Sequence, residues 1–475
     1  MREAGLAFQH FCRRHKNAQA VIYFYKQSID VFMLKLCLER KQSQIDMKRL
    51  KQNYVQQLLI DLILLTSSIL FFTNCEKDNT IPKSELIPRK DILLTRAEQK
   101  FINDNNNFAL ELFKTVSQKE GHESIVISPL AITIDLGMIN NGAVGDTREE
   151  INNSIGFGNG TVEDFNMFCQ SMLAQSSTVD PTITFETANA ALVNSLFFPL
   201  KSDFIKAIED NFSAEVINKD FAKEDIKGLI NRWCDKKTKG MIKELIHEPV
   251  SSDEYAHFLT GTYFKGIWSN QFKKRDTEKG QFTCEDGNKL ELKMMHQKSG
   301  FKMASIKGLC SVIVLPYGNG AYRMTILLPI EGKTISDIIR DLDSESWTTI
   351  TSYCEGIGVE DVDLKLPVFE TDFEVDLKET LIDMGINKAF TDADFSAMTD
   401  EKGVYLNKVQ HKAHIKVDEQ GSEVAAVVDV ATMGGMSLIP FQPQVHEFHA
   451  NKPFIYAITE VSSGALFFLG QFVGY

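Results

Sequence analysis

From about residue 97 to Tyr475, apolar positions recur with a regular period. Phe108, Leu112 and Val116 return every fourth residue behind Asn106 and Asn107, which predicts a helix capped by those asparagines. Thr147 and Glu150 have the spacing of a capping box ahead of another helix. Further along, the period drops to two. Val362, Leu364, Leu366 and Val368 alternate with Asp363, Lys365 and Pro367. His411, Ala413, Ile415 and Val417 alternate with Lys412, His414, Lys416 and Asp418. Each set predicts a strand with one apolar and one polar face. The last two apolar runs, Phe454 to Ile458 and Ala465 to Leu469, are split by Ser462-Ser463-Gly464, a hairpin between buried strands. Helical patterns dominate the first half of this region and strands the second, with no internal repeat. The expectation is one mixed α+β domain of about 375 residues, large for a single core.

One stretch breaks off mid-pattern. In "GSEVAAVVDVATMGGMSL" (421–438), Ser422, Val424, Ala426, Val428, Val430 and Thr432 are all small or β-branched, while Glu423 and Asp429 share the opposite parity. That is a half-buried strand pattern. It then dissolves into Met-Gly-Gly-Met-Ser, a sequence unsuited to a strand interior.

Composition separates the chain into two kinds of segment. The whole has 475 residues and a formal charge of −13, which argues against nucleic acid as the main partner. Residues 1–51 nevertheless hold eleven Lys/Arg against four Asp/Glu, leaving 40 basic and 60 acidic residues, a net of −20, in the remainder. Residues 1–46 precede a natural start at Met47 and are assigned no structure. From Met47, the basic Lys48, Arg49 and Lys51 lead into an apolar stretch from Leu62 to Phe72, then Thr73, Asn74 and Cys75. This is the layout of a secretory signal over 47–74, too short in its apolar part for a comfortable membrane span. With Cys75 at the cleavage point it resembles a bacterial lipoprotein signal, and Glu76, Lys77 and Asp78 resemble the surface-export signal of Bacteroidetes-type lipoproteins. That resemblance implies lipidation at Cys75, a membrane anchor, and an exported, extracellular-facing protein at the bacterial outer membrane or cell surface. Residues 75–96, with Pro82 and Pro88, read as a tether to the folded body at 97–475.

The remaining cysteines, Cys169, Cys234, Cys284, Cys310 and Cys354, are scattered and odd in number, so buried free thiols are expected rather than a disulfide framework. His411 and His414 lie three apart on one strand, hence on opposite faces, and cannot jointly hold a metal; His446 and His449 share that objection. Ser299-x-x-Lys302 has no companion motif. No phosphate loop or nucleophile elbow is present, and no cofactor or metal is expected.

Segments in order along the chain read "VISPLAI" (126–132), "GAVGDTREEI" (142–151), "INRWCDKKTKGMIKELI" (230–246), "TYFKGIWSNQF" (262–272), "LKLPVF" (364–369), "TLIDMGINKAF" (380–390), "VQHKAHIKVDEQGSEVAA" (409–426), "NKPFIYAI" (451–458) and "GALFFLGQFV" (464–473). Together they resemble the serpin family over nearly all of 97–475. The resemblance implies three β-sheets with eight to nine helices and an exposed reactive centre loop. It implies a hinge of Glu419, Gly421, Ser422, Glu423, Val424, Ala425 and Ala426. It also puts Ser128 and His411 in the shutter of the large sheet and Trp268 at the breach above it.

In that family the loop is bait: once cut, its N-terminal arm enters the large sheet as a new strand. Here a one-residue shift of the arm would bury Glu423 and Asp429, at several kcal/mol each, so the parity favours insertion. Family spacing puts the scissile bond at Gly435-Met436, with Met433-Gly434 and Met436-Ser437 as competitors. No Arg or Lys stands there, which argues against a trypsin-like target; methionine suits elastase-, chymotrypsin- or subtilisin-like serine proteases, and papain-like cysteine proteases are open. The implied function is suicide inhibition by a monomer that partners a target protease covalently; the chain is the inhibitor, not an enzyme. Three departures from the family pattern stand out: Val424 where alanine is usual, Val428 where threonine is common, and Thr260-Gly261-Thr262 where an asparagine is expected. A non-inhibitory serpin-fold surface lipoprotein, with a binding or structural role, is the alternative.

Overall fold

A computed structural model of the chain describes residues 88–474, except His122, Phe198 and residues 423–444. Nine α-helices are present among the described residues: α1 (Arg96–Glu120), α2 (Pro129–Gly142), α3 (Gly145–Ser154), α4 (Val162–Ser176), α5 (Ser202–Phe212), α6 (Ile226–Lys237), α7 (Ile335–Asp341), α8 (Ser344–Gly356) and α9 (Lys378–Asp383). Fifteen strands accompany them, arranged as follows.

The large sheet has the order β10 (Phe369–Asp376), β11 (Lys408–Val417), β4 (Ala256–Ile267), β2 (Thr184–Asn194) and β3 (Glu215–Lys219), with β12 (Gly421–Ser422) on the end of β4. The other strands form one path: β1 (Ile125–Ile127), β15 (Leu466–Phe472), β14 (Phe454–Glu460), β8 (Tyr322–Pro329), β7 (Cys310–Tyr317), β6 (Lys289–Ile306), β9 (Glu360–Pro367) and β13 (His446–His449), with β5 (Glu278–Thr283) beside β6. The long strand β6 explains why two expected sheets run together. Its residues 302–306 pair with β7, and its residues 294–301 pair with β9. The hairpin of β14 and β15 forms as read from their apolar runs.

Two sequence expectations give way to tertiary structure. Asn106 and Asn107 do not cap a helix; they lie inside α1, whose N-cap, Thr95, comes eleven residues before Asn106. There Thr95 and Glu98 form the capping box, and Asn106 instead donates from Nδ2 to Gly464 O and accepts at Oδ1 from Leu466 N. Thr147 and Glu150 lie within α3, whose N-cap is Val144. Thr147 accepts from Asp394 N, and Glu150 from the N–H groups of Asn387 and Lys388, so the pair ties α3 to a distant turn. The end of the proposed tether already lies against the body, since Ile92 is buried and its N–H donates to Ser462 Oγ.

The large sheet is covered on both faces. One face carries the main core, which includes Phe258 and Phe264 of β4. On the other, Leu259 of β4 and Ala188, Ala190 and Leu192 of β2 pack under Ile226, Ile230, Trp233 and Cys234 of α6. That double cover corrects the reading of β11 as half polar. Gln410, Lys412 and His414 are also buried, with Lys412 reaching Asp372 at 3.3 Å and Glu374 at 3.8 Å on β10. Strand β9 keeps its period-two pattern, with Val362, Leu364 and Leu366 buried and Asp363 and Lys365 partly exposed. Cys169, Cys234, Cys284, Cys310 and Cys354 are free and buried.

Candidate functional site at the seam of the large sheet

Strands β11 and β4 run parallel, with His411 opposite Thr260 and Lys408 opposite His257. Their neighbours on either side are antiparallel, β10 beside β11 and β2 beside β4. A strand entering between β11 and β4 and antiparallel to both would make the centre of the sheet antiparallel throughout. At the top of the seam that arrangement has already begun. The chain leaves β11, turns back at Asp418, and pairs Gly421 with Ile267 and Ser422 with Gly266, antiparallel to β4.

The turn is held by backbone and by one ring. Trp268 N donates to Gln420 O at 2.9 Å, and Phe272 N to Glu419 O at 2.8 Å. Trp268 Nε1 donates to Asp418 O at 3.0 Å, while its ring stacks on Tyr317 at 4.3 Å between centroids. Gly421 sits at φ +136, where a Cβ would meet Gly266 O at 2.1 Å, so the return of the chain requires glycine. Glu419, Gly421, Ser422 and Trp268 are therefore brought together.

Lower on the seam, Ser128 and His411 meet as the resemblance implies. Ser128 is the N-cap of α2, and its backbone N–H donates to His411 Nε2 at 3.1 Å. His411 is fully buried, and desolvation pushes its pKa down to about 3, so the ring is neutral. Thr260, in the Thr260-Gly261-Thr262 segment where an asparagine was expected, makes no well-aligned side-chain hydrogen bond through Oγ1. Beneath it lies Asp135 of α2, a residue no sequence pattern singled out. All fourteen residues of α2 are buried, so no polar stripe marks Asp135. Burial raises its carboxyl to about 8, the neighbouring Thr260 hydroxyl opposing the shift, without a well-aligned hydrogen bond between them.

The hinge residues Glu423, Val424, Ala425 and Ala426, the reactive-bond residues Met433, Gly435 and Met436, and Cys75 lie outside the described residues. Among the described residues, no group of three or more His, Cys, Asp or Glu side chains is arranged to hold a metal, and no helix is long and apolar enough to cross a membrane.

The sequence profile of the serpin (serine protease inhibitor) family matches residues 103–474. The chain belongs to the serpin family. Leukocyte elastase inhibitor A of Rattus norvegicus is 31% identical to it over 380 residues, covering 77% of this chain and 97% of that protein. Neuroserpin of Mus musculus is 29% identical over 361 residues, covering 74% and 85%. Among solved structures, the thermophilic serpin tengpin in its native state superposes with a TM-score of 0.71 at 24% identity, over 82% of this chain and 97% of that one. Human thyroxine-binding globulin complexed with thyroxine gives a TM-score of 0.71 at 25% identity, over 80% of this chain and 99% of that one. The serpin fold is thus established, and protease inhibition is the activity its family describes.

Proposed function

We propose that this serpin is a suicide inhibitor of serine proteases of the elastase, chymotrypsin or subtilisin type, working by loop cleavage and insertion. The observation that carries the reading is a coincidence of register. Continuing the Gly421–Ile267 pairing down β4 would set Val424 opposite Phe264, Val428 opposite Thr260 and Thr432 opposite Ala256, the first residue of the strand. Continuing the Asp418–Gly421 turn down β11 would set Val428 opposite His411. His411 and Thr260 are already partners across the closed seam. The arm would therefore fit both walls with no sliding of either strand, and β4 and β11 need only part sideways.

The same register sorts the charges. Val424, Val428 and Val430 would face the main core beside Phe264, Thr260 and Phe258, whereas Glu423 would lie between Lys265 and Lys416. Asp429 would point to the α6 side, beside Leu259 and Gln410 and flanked by Lys408 and Lys412. About ten new backbone hydrogen bonds at ~1 kcal/mol each, with several apolar side chains buried at ~1–2 kcal/mol each, give on the order of 10–20 kcal/mol. That exceeds the stability of an ordinary domain, so the uncut protein is kinetically trapped. A protease acylated at Gly435-Met436 would be carried along and distorted before its ester hydrolyses.

Methionine at 433 and 436, and the elastase inhibitor among the relatives, support an elastase-type target. A lipid anchor at Cys75 would hold the inhibitor at a membrane surface. The test is incubation with elastase, chymotrypsin and subtilisin: an adduct surviving boiling in detergent is expected, and nicked protein without any adduct would refute the reading.

A further inference from the structure

Asp135 stands out among the buried groups that loop insertion does not itself use. It is fully buried on α2, and neither carboxyl oxygen has a well-formed hydrogen bond. Above it, three side chains line up across three strands, because Asn189 of β2 pairs with Thr260 of β4 and Thr260 with His411 of β11. Each leaves a buried polar atom unpaired: Asn189 Oδ1, Thr260 Oγ1 and His411 Nδ1. Helix α2 spans the seam beneath this row. Its N-cap Ser128 is bonded to β11 through His411, and seven residues along, Asp135 sits beside Thr260 of β4. An acid in such a place is tolerated as the neutral carboxylic acid, because burial penalises the ionised form more than the one neighbouring hydroxyl, Thr260, favours it.

We propose that Asp135 is a proton-controlled latch beneath the seam: as the neutral acid it leaves β4 and β11 closed, and when its proton passes to solvent the buried carboxylate drives the two strands apart to admit the arm. The latch rests on the insertion reading above. Opening the seam exposes Thr260 and the carboxylate to water, which relieves the burial that opposes ionisation. The titratable groups buried around Asp135 do not compete with it. His411 stays neutral across the relevant range, and the Cys169 thiol of α4 is pushed far upward by burial. The acidic and basic side chains of α1, α3, α4 and α5 are at least partly exposed, and Lys412, His414 and His257 lie on the opposite face of the sheet. With the carboxyl raised to about 8, the ionised fraction grows as pH rises toward 8 and saturates above it.

The test follows tryptophan fluorescence, with Trp268 at the hinge, after the loop is cut at pH 6 to 9 in the wild type and in Asp135→Asn. The rate of the fluorescence change in the wild type should rise by up to tenfold per pH unit from pH 6 to 8 and level off by pH 9, and stay within about twofold in Asp135→Asn. If the asparagine variant does not fold, Asp135→Ala replaces it. Identical pH profiles, with both proteins still gaining heat stability on cleavage, would overturn the latch alone. Failure of either protein to gain stability on cleavage would overturn the insertion reading, and the latch with it.

Discussion

The Ser128 N–H donates to His411 Nε2 at 3.1 Å, fastening the N-cap of α2 to the middle of β11. Because Nε2 is the acceptor, the proton of the neutral ring belongs on Nδ1. Replacing His411 by alanine leaves that N–H orphaned and opens a cavity in the core. The uncut protein should lose roughly 2–4 kcal/mol, read as a lower urea midpoint.

The same histidine makes stability depend on acid. Its folded pKa of about 3 lies below its ordinary value of 6.5, so the unfolded chain binds the extra proton between those two pH values. The stabilisation is complete above pH 6.5 and falls away as pH drops toward 3. Urea titrations of wild type and His411→Gln should therefore converge in stability as the solution is acidified through this window.

Gly421→Ala strains the turn that starts the arm. The alanine would have to hold φ +136 with its Cβ against Gly266 O. A loss of about 1–3 kcal/mol at the hinge is expected, seen as faster amide exchange at Trp268 and Phe272, whose N–H groups bond to the turn.

Parity on the arm should separate inhibitor from substrate. Val424→Asp would carry a charge into the main core beside Phe264, at several kcal/mol, and should give nicked protein in place of the detergent-stable adduct. Asp429→Asn lies on the other parity and should retain adduct formation. Gel analysis of both variants with elastase checks the pair.

Much of this was legible in sequence because the seam is built from short local signals. The strand around His411 announces itself by its period of two, whereas Ser128 before Pro129 and the Glu419-Gln420-Gly421 turn were placed by the family resemblance. The misreadings share a cause, which is that a side chain's partner can lie far along the chain. Asn106 reads as a cap, yet it serves the hairpin turn at Gly464. Thr147 and Glu150 have capping spacing but hold residues 387–394. Asp135 gave no signal, since a helix buried on every side has no polar face for an acid to violate. Lys412 was taken as a solvent-side residue because α6 and its neighbours cover the second face of the sheet, and nothing in β11 itself reports that cover.

The structure of the loop-cleaved protein tests the central claim most directly. Residues 422–432 should form a strand between β4 and β11, with Val428 between Thr260 and His411. A cleaved molecule in which His411 still faces Thr260 across a closed seam would contradict the account.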